Sequence, residues 1–236
     1  MIQFVTGTDT GVGKTVVSAA LASRHRSLDL RVAYLKPVQT GVAEGEPGDA
    51  AFVAAATGLR STEGMRFTEA LAPAVAAERA GKEIDLEVLA HLAEAEEELA
   101  DMVVVEGAGG LLAPLSGELT MADLALRLDA EVVVVARPGL GTLNHTALTL
   151  EAAAARRLRV LGTVVSGWPD EPGPLERTNL VRLARLGPLI GLVPLVSGLD
   201  TARPLETGSA GVGAGSSAPR LIPGPSWALR PDGPPR

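Results

Sequence analysis

Residues 2–15 read IQFVTGTDTGVGKT. The apolar run Ile2–Thr6 predicts a β-strand, and the alanine- and valine-rich pattern that begins at Thr15 predicts a helix. The segment between them is rich in glycine and follows the phosphate-binding loop GxxxxGK[ST], which also joins a strand to a helix. The sequence therefore predicts a strand, a phosphate-binding loop and a helix, in that order.

The loop is a variant of this motif. Its ending, Gly13-Lys14-Thr15, matches, whereas Thr8 occupies the first-glycine position and Gly7 lies one place earlier. In such loops backbone N–H groups converge on phosphate oxygens, and the amino end of the helix adds its positive dipole. We expect Lys14 to reach the β- and γ-phosphates of a nucleotide and the Thr15 hydroxyl to bind Mg²⁺. The alternative, a glycine-rich turn with a chance Gly-Lys-Thr, is disfavoured by the strand before it and the helix after it.

Short β-branched runs and alanine- and leucine-rich helical patterns alternate along the chain. Most of the runs are apolar on both faces, as parallel strands covered by helices are. Further predicted strands are Val32–Leu35, Met102–Val105, Val132–Ala136, Val160–Val165 and Leu189–Val193. Predicted helices are Thr15–Ser27, Asp49–Thr57, Leu86–Ala100, Met121–Leu128, Asn144–Arg157 and Leu175–Leu186. This alternation predicts an α/β fold, with a doubly wound, mostly parallel sheet and helices on both faces, like that of P-loop NTPases.

Composition narrows the classes of function. The 236 residues are 46% hydrophobic, carry a formal net charge of −7 and include no cysteine. Disulfides, thiolate nucleophiles and cysteine-bound metals are therefore excluded. No basic cluster suits nucleic acid or an anionic membrane, and no apolar run reaches the ~20 residues of a spanning helix. We expect a cytoplasmic protein.

The chain divides into two regions by composition. Residues 1–202 carry the alternating pattern and are predicted to form the catalytic domain. Residues 203–236 contain seven prolines and six glycines. Such a segment buries too little apolar surface to offset its ordering entropy, so we predict a mobile carboxy-terminal tail.

Lysine is scarce: only Lys14, Lys36 and Lys82 occur beside 18 arginines. Lys36 follows the second predicted strand and precedes a loop that begins with Pro37. Near a phosphate loop, Lys36 is expected to balance anionic charge during group transfer. The alternative is a solvated lysine at the rim of the sheet. Both Lys14 and Lys36 are predicted to lie on loops, where substitution should leave folding nearly unchanged.

Two carboxylates are candidate ligands for Mg²⁺, which prefers oxygen donors. Glu106 directly follows the apolar run of the predicted strand Met102–Val105, and after it come Gly107-Ala108-Gly109-Gly110, a backbone that can approach a ligand closely. Asp49 opens a predicted helix, where an aspartate is also a common helix cap. The sequence leaves both roles of Asp49 open.

A further loop, Gly139–His145, follows the fourth predicted strand and opens a helix. Because the amino ends of helices bind carboxylates and phosphates, this loop is a candidate anion site. Asn144 is also a candidate cap of that helix.

Four segments together resemble the dethiobiotin synthetase family. They are FVTGTDTGVGKT, LKPVQTG, VVVEGAGGLLAPLS and LGTLNHTALT, in the family's order and spacing. The resemblance extends from Ile2 to about Val196. It implies an ATP- and Mg²⁺-dependent ligase that closes a cyclic urea from 7,8-diaminopelargonate and carbon dioxide. The product is dethiobiotin, and the route passes through a carbamate and a carbamic-phosphoric anhydride.

The resemblance also implies roles for individual residues. Lys14, Lys36 and Thr10 are implied to be catalytic, and Thr15, Asp49 and Glu106 to hold the metal. Implied contacts to the nucleotide are Gly11, Val12, Gly13, Lys14, Thr15, Val16, Asp49, Glu106, Gly107, Ala108, Gly109, Ser166, Gly167, Val193, Pro194 and Leu195. The carbamate is implied to lie beside Lys36, Thr40 and Gly41, bordered by Thr10 and Gly11. The substrate carboxylate is implied to bind Gly141, Thr142, Leu143 and Asn144 of a second subunit, which makes the expected protein a homodimer with shared sites.

The chain departs from the family at two positions. Gly11 stands where several members carry an acidic residue, so a side-chain contact is lost there. Ser166 stands where many carry an asparagine that reads adenine, which weakens the expected recognition of the base.

Two alternatives from other classes stay open. One is an ATP-switch protein of the partitioning or septum-positioning type, although Asp9 occupies the place of the extra lysine typical of that class. The other is a cobalamin-type ATP-dependent amidoligase, which is normally longer and uses a glutamine-hydrolysing cysteine.

Overall fold

The computed structural model describes residues 1–195, which form nine strands and seven helices. The strands are β1 (Ile2–Gly7), β2 (Val32–Thr40), β3 (Arg60–Phe67), β4 (Met102–Gly110), β5 (Pro114–Ser116), β6 (Leu119–Thr120), β7 (Glu131–Ala136), β8 (Arg159–Trp168) and β9 (Leu189–Pro194). The helices are α1 (Lys14–Arg26), α2 (Asp49–Thr57), α3 (Pro73–Arg79), α4 (Leu86–Leu99), α5 (Met121–Arg127), α6 (Thr142–Ala155) and α7 (Pro174–Leu183). The predicted tail, residues 203–236, lies outside the described residues.

Seven strands form one sheet in the order β3-β2-β4-β1-β7-β8-β9, and every pairing between them is parallel. Strands β5 and β6 form a separate antiparallel pair. The fully buried β1 lies at the centre. The chain winds outward from β1 in both directions, so the predicted α/β doubly wound fold is confirmed. In such sheets ligands bind at the carboxyl ends of the strands, beside the central switch in winding.

Helices cover both faces of the sheet because successive strand residues point to opposite sides. Phe4 packs in the core beneath helices α3 to α6. Its neighbour Val5 packs in the opposite core, beneath α1 and α2. Within the described residues, no helix is long and apolar enough to cross a membrane.

Strands β2 and β4 continue further than the sequence predicts, which corrects the placement of two candidate residues. Lys36 and Glu106 lie inside these strands, not after them. Pairing between β2 and β4 ends at Leu35 and Val105, while β2 continues alongside β3. Pro37 can therefore lie within β2 in a stretch paired only with β3, since a proline there breaks no ladder to β4. Lys36 and Glu106, the next residues after the last β2–β4 pair, both line a cavity at this edge of the sheet.

Strand β3 and helix α3 were missed by the sequence analysis. Strand β3 reads RSTEGMRF and is half-buried, because it is an edge strand of the sheet. Its polar composition gives neither the apolar run nor the regular alternation by which strands are recognised.

Candidate active site

The phosphate-binding loop joins β1 to α1, as predicted. Gly13 precedes the first residue of α1 and has a φ of 92°, in the left-handed region that favours glycine. A side chain on Gly7 is excluded as well, because a Cβ there would lie 2.7 Å from the Asp9 carbonyl oxygen. Gly7, the glycine that lies one place early in the variant motif, is therefore required at this position, where the loop folds back over the end of β1.

Lys14 begins helix α1 and is buried. Its Nζ donates to the carbonyl oxygen of Asp9 at 3.2 Å and, among the described residues, forms no ion pair with a carboxylate. Burial, and next the nearby Lys36 ammonium, lower the pKa of Lys14 from 10.5 to about 8. The loop thus holds a desolvated cation whose charge is not balanced by a direct carboxylate partner.

Glu106 is the centre of a buried polar cluster and is 1% exposed. Its Oε1 accepts hydrogen bonds from Thr15 Oγ1 at 2.9 Å and from Lys36 Nζ at 2.8 Å. Its Oε2 accepts from the Tyr34 hydroxyl at 2.9 Å. Lys36 also lies 2.6 Å from Asp49 Oδ2. Residues distant in the chain, Thr15, Tyr34, Lys36, Asp49 and Glu106, thus meet in one cluster.

The pKa values of the two buried lysines, Lys14 and Lys36, are shifted in opposite directions. Burial alone would lower the pKa of Lys36, but the facing carboxylates of Glu106 and Asp49 raise it well above its usual range. Burial likewise opposes ionisation of Asp49, yet Lys36 holds the pKa of that carboxyl below its usual value. Lys36 is therefore a compensated ammonium at neutral pH, whereas Lys14 lacks a carboxylate partner.

The sequence left open whether Asp49 is a helix cap. The structure places Gly48 at the cap position of α2, with no side-chain cap hydrogen bond, and Asp49 is the first helical residue. Its backbone N–H donates to Gln39 Oε1 at 2.9 Å, and its carboxylate faces Lys36. The capping alternative is therefore wrong. Asp49 belongs to the polar cluster.

A cavity of about 720 Å³ opens over this cluster. Of the predicted site residues, Thr10, Gly11, Gly13, Lys14, Thr15, Val16, Lys36, Thr40, Gly41, Asp49, Glu106, Ala108 and Gly109 line it. The sequence analysis assigned no site role to Gln39, Phe52 or Ala70–Pro73, which also line it. The motif LKPVQTG contains Gln39, whereas Ala70–Pro73 follow the unrecognised strand β3 and gave no signal.

Several predicted residues lie outside this cavity. They are Val12, Gly107, Ser166, Gly167, Val193, Pro194, Leu195, Gly141, Thr142, Leu143 and Asn144. Ser166 is buried against the phosphate loop, where its Oγ would overlap a Cβ built on Gly13. Strand β9 pairs with β8 there, Ser166 opposite Val193, so the predicted base-recognition residues form a second group beside the loop.

The predicted carboxylate-binding loop lies at the amino end of α6. Gly141, with a φ of 89°, occupies the cap position, so the alternative that Asn144 caps this helix is wrong. Asn144 is exposed, while Thr142 is buried and its Oγ1 has no hydrogen-bond partner within the described residues.

The residues of the cluster fit Mg²⁺. No group of three or more histidine, aspartate or glutamate side chains suitable for a metal occurs in residues 1–195. Glu106, Asp49 and Thr15 instead offer a small set of oxygen donors, which is how Mg²⁺ is held when phosphates and water complete its octahedron. The Lys36 ammonium already lies against both carboxylates, so the cluster is built to face a positive charge.

Comparisons with known proteins decide the family. A family model described as an AAA domain matches residues 3–203. The ATP-dependent dethiobiotin synthetase BioD of Rhodococcus jostii is 47% identical over 218 residues, which cover 91% of this chain and 90% of that protein. The enzyme of the same name from Mycobacterium avium is 46% identical over 214 residues, covering 89% of this chain and 94% of that protein. The chain belongs to the dethiobiotin synthetase family. The resemblance seen in the four sequence segments is thereby confirmed.

Solved structures show how widely the fold of this dethiobiotin synthetase family member is shared. A ParA family ATPase from Chlorobium tepidum aligns with a TM-score of 0.52 and 14% identity, covering 82% of this chain and 83% of that one. A chain of the MinC:MinD cell division protein complex from Aquifex aeolicus aligns with a TM-score of 0.52 and 14% identity, covering 86% of this chain and 86% of that one. At such identities these structures support the P-loop NTPase-like fold alone.

Proposed function

We propose that the protein catalyses the ATP-dependent carboxylation and ring closure of 7,8-diaminopelargonate, with release of dethiobiotin, ADP and phosphate. Membership of the family supports this activity. The observation that carries it in the structure is the buried Lys36–Glu106–Asp49 cluster, which opens into the same cavity as the phosphate-binding loop. A nucleotide and a second anionic reactant can therefore lie side by side there.

The reaction asks for charge neutralisation more than for acid–base chemistry. One amine of the substrate adds to carbon dioxide and loses a proton, which gives a carbamate. A carbamate oxygen then attacks the γ-phosphorus, and ADP leaves with the electrons of the broken P–O bond. The second amine attacks the carbon of the resulting anhydride, loses a proton and expels phosphate as the ring closes. Phosphoryl transfer of this kind depends on positioning and on compensation of negative charge.

The residues of the cavity suit these demands. Lys14 and the amino end of α1 would hold the β- and γ-phosphates. Thr15, Asp49 and Glu106 would hold Mg²⁺, which supplies charge neutralisation on the phosphate oxygens. Lys36 and Thr40, with Thr10 and Gly11 at the border, would bind the carbamate. Lys36 lines the cavity, and its ammonium donates to Glu106 Oε1 at 2.8 Å, which supports a role for Lys36 beside both the proposed metal ligands and the carbamate.

The proposed activity has a direct test. We expect dethiobiotin, identified by its mass, when the protein is mixed with 7,8-diaminopelargonate, bicarbonate, ATP and Mg²⁺. Phosphate release should require both the diamine and bicarbonate. Release that depends instead on DNA or lipid would indicate an ATP switch, and release that depends on glutamine would indicate an amidoligase. The 46–47% identity to dethiobiotin synthetases favours the ligase over both.

We also propose that the enzyme is a cytoplasmic homodimer whose sites are shared between subunits. The loop Gly141–Asn144 presents the amino end of α6 but does not line the cavity of its own chain. A helix amino end is suited to the substrate carboxylate. Supplied by a second subunit, this loop could complete the site.

Subunit mixing tests the shared site. A Lys14→Ala protein and a Thr142→Val, Asn144→Ala protein are each expected to be inactive. Heterodimers formed from the two should regain partial activity, because one of their two sites carries only native residues. The measurement is turnover after mixing, with subunit exchange shown independently by native mass spectrometry. Absence of rescue despite exchange would mean that each site is built within one chain.

Weak selection of the base is a further expectation. Ser166 offers a single short hydroxyl where an asparagine could pair with two groups of adenine, and this hydroxyl is packed against the phosphate loop. A site without a paired reader discriminates poorly between bases. We therefore expect CTP and GTP to replace ATP with a modest loss in kcat/KM, measured at saturating diamine and bicarbonate. A preference for ATP above roughly 1000-fold, or ~4 kcal/mol, would show that other groups, such as the backbone of Val193–Leu195, read adenine.

A further inference from the structure

The buried hydroxyl of Tyr34 has no part in the reaction as derived above. Tyr34 is the only tyrosine of the chain and lies in β2, on the face of the sheet covered by α1 and α2. It is fully buried, and its hydroxyl donates to Glu106 Oε2 at 2.9 Å. Tyr34 does not line the cavity in which the reactants are proposed to bind.

The two oxygens of Glu106 are held by different kinds of donor. Oε1 accepts from Thr15 and Lys36, both of which line the cavity. Oε2 accepts only from Tyr34 within the described residues. The carboxylate thus has one oxygen among cavity-lining donors and one bonded to a residue of the protein interior.

The donors on Oε1 are needed elsewhere during the proposed reaction. The Thr15 hydroxyl and the Lys36 ammonium are the groups assigned to Mg²⁺ and to the carbamate. Whatever those two groups do on binding, Tyr34 is the donor to Glu106, among the described residues, that has no other assigned ligand. A ligating carboxylate whose second oxygen is hydrogen-bonded in this way keeps its orientation, and loss of such a partner commonly costs ~10–100-fold in metal affinity.

We propose that Tyr34 is the positioning residue of Glu106: its hydroxyl fixes Oε2 and so aims Oε1 alone into the cavity, for one-oxygen binding of a divalent cation. This inference rests on the proposed function for the role of the cation in the reaction. The geometry that it invokes, however, can be measured without turnover.

The test removes one oxygen atom from the protein. In Tyr34→Phe, binding of Mn²⁺ in the presence of ADP, followed by electron paramagnetic resonance, should weaken at least ~10-fold. Dethiobiotin formation should need correspondingly more Mg²⁺, and kcat should recover when Mg²⁺ is saturating. Binding of Mn²⁺ within twofold of wild type would overturn the inference.

Thr62→Val is the matched control. The Thr62 hydroxyl donates to Glu96 Oε1 at 2.6 Å, and Glu96 is also buried, but neither residue lines the cavity. This variant also removes a hydroxyl donor from a buried carboxylate, yet it should leave Mn²⁺ binding unchanged. An equal loss of Mn²⁺ affinity in both variants would assign the effect to general loosening and overturn the inference.

A second measurement does not depend on the folding of Tyr34→Phe. Because Tyr34 is the only tyrosine, incorporation of meta-fluorotyrosine gives a single fluorine NMR resonance from this ring. Glu106→Gln should move this resonance and Thr62→Val should not. A resonance unmoved by Glu106→Gln would refute the contact. If the wild type bound Mn²⁺ as expected but formed no dethiobiotin, the proposed function would fail and the role of Tyr34 would stand.

Discussion

A Lys36→Ala variant is expected to lose at least ~100-fold in turnover, the scale for removing a charge stabiliser from a transition state. It should also lose about 3 kcal/mol in the free energy of unfolding. The Lys36 ammonium bridges Glu106 and Asp49 at 2.8 and 2.6 Å, and its removal takes away the one cation within ion-pair distance of these two carboxylates among the described residues. The loss should lie at the lower end of the range for broken buried pairs, because the Asp49 side chain is 31% exposed and water can reach it.

The two effects of Lys36→Ala need separate measurements. Turnover should be followed at a temperature where circular dichroism shows the variant fully folded, and stability by urea unfolding. Lys82→Ala is the matched control, since Lys82 is exposed and its Nζ lies over the Phe67 ring, 6.0 Å from the ring centre and away from the cavity. Wild-type turnover in Lys36→Ala would show that Lys36 has no catalytic role. Wild-type stability would mean that the two carboxylates relax apart without cost.

The sequence predicted the parts of this molecule whose signals are local. The phosphate-binding loop and the alternation of strands and helices can be recognised in windows of ten to twenty residues, and the structure agrees with both. Strand β3 could not be recognised in this way. Its polar residues meet the needs of an edge strand, and that position in the sheet is set by pairing with β2, not by its own composition.

The candidate site was predicted as a set of residues but not as an arrangement. Lys36 and Glu106 were singled out by their scarcity or position, yet their contact depends on the register between β2 and β4. The choice between the two roles of Asp49 likewise depends on a lysine thirteen positions earlier. Tyr34 was not selected at all, because a tyrosine within an apolar strand is usually a core residue. Only the pairing of the strands places its hydroxyl on Glu106.

The contrast between the two lysines was also invisible in the sequence, which places both on loops with little influence on folding. In the structure both are buried, at the start of α1 and within β2. Substitution has different consequences for the two, because removing one partner of a buried ion pair leaves the other charge uncompensated, and only Lys36 has such partners. Substitution of Lys36 should therefore destabilise the fold, contrary to the sequence-based expectation, whereas substitution of Lys14 should leave folding nearly unchanged.

For Lys14→Ala we expect turnover at least ~100-fold below wild type, with a free energy of unfolding within about 1 kcal/mol of it. The ammonium makes one hydrogen bond, to the Asp9 carbonyl at 3.2 Å, and is opposed by burial and by Lys36, which lower its pKa to about 8. The Lys14→Ala substitution should weaken nucleotide binding as well as lower kcat. Lys14 is the cation of the loop, and no carboxylate of the described residues forms an ion pair with it. Titration calorimetry measures the binding of ADP, and urea unfolding measures the stability. Turnover is measured in parallel as the rate of dethiobiotin formation, with the product identified by its mass. A large loss of stability in Lys14→Ala, like that expected for Lys36→Ala, would show that the charge of Lys14 is compensated in the free protein and would contradict this view of the loop.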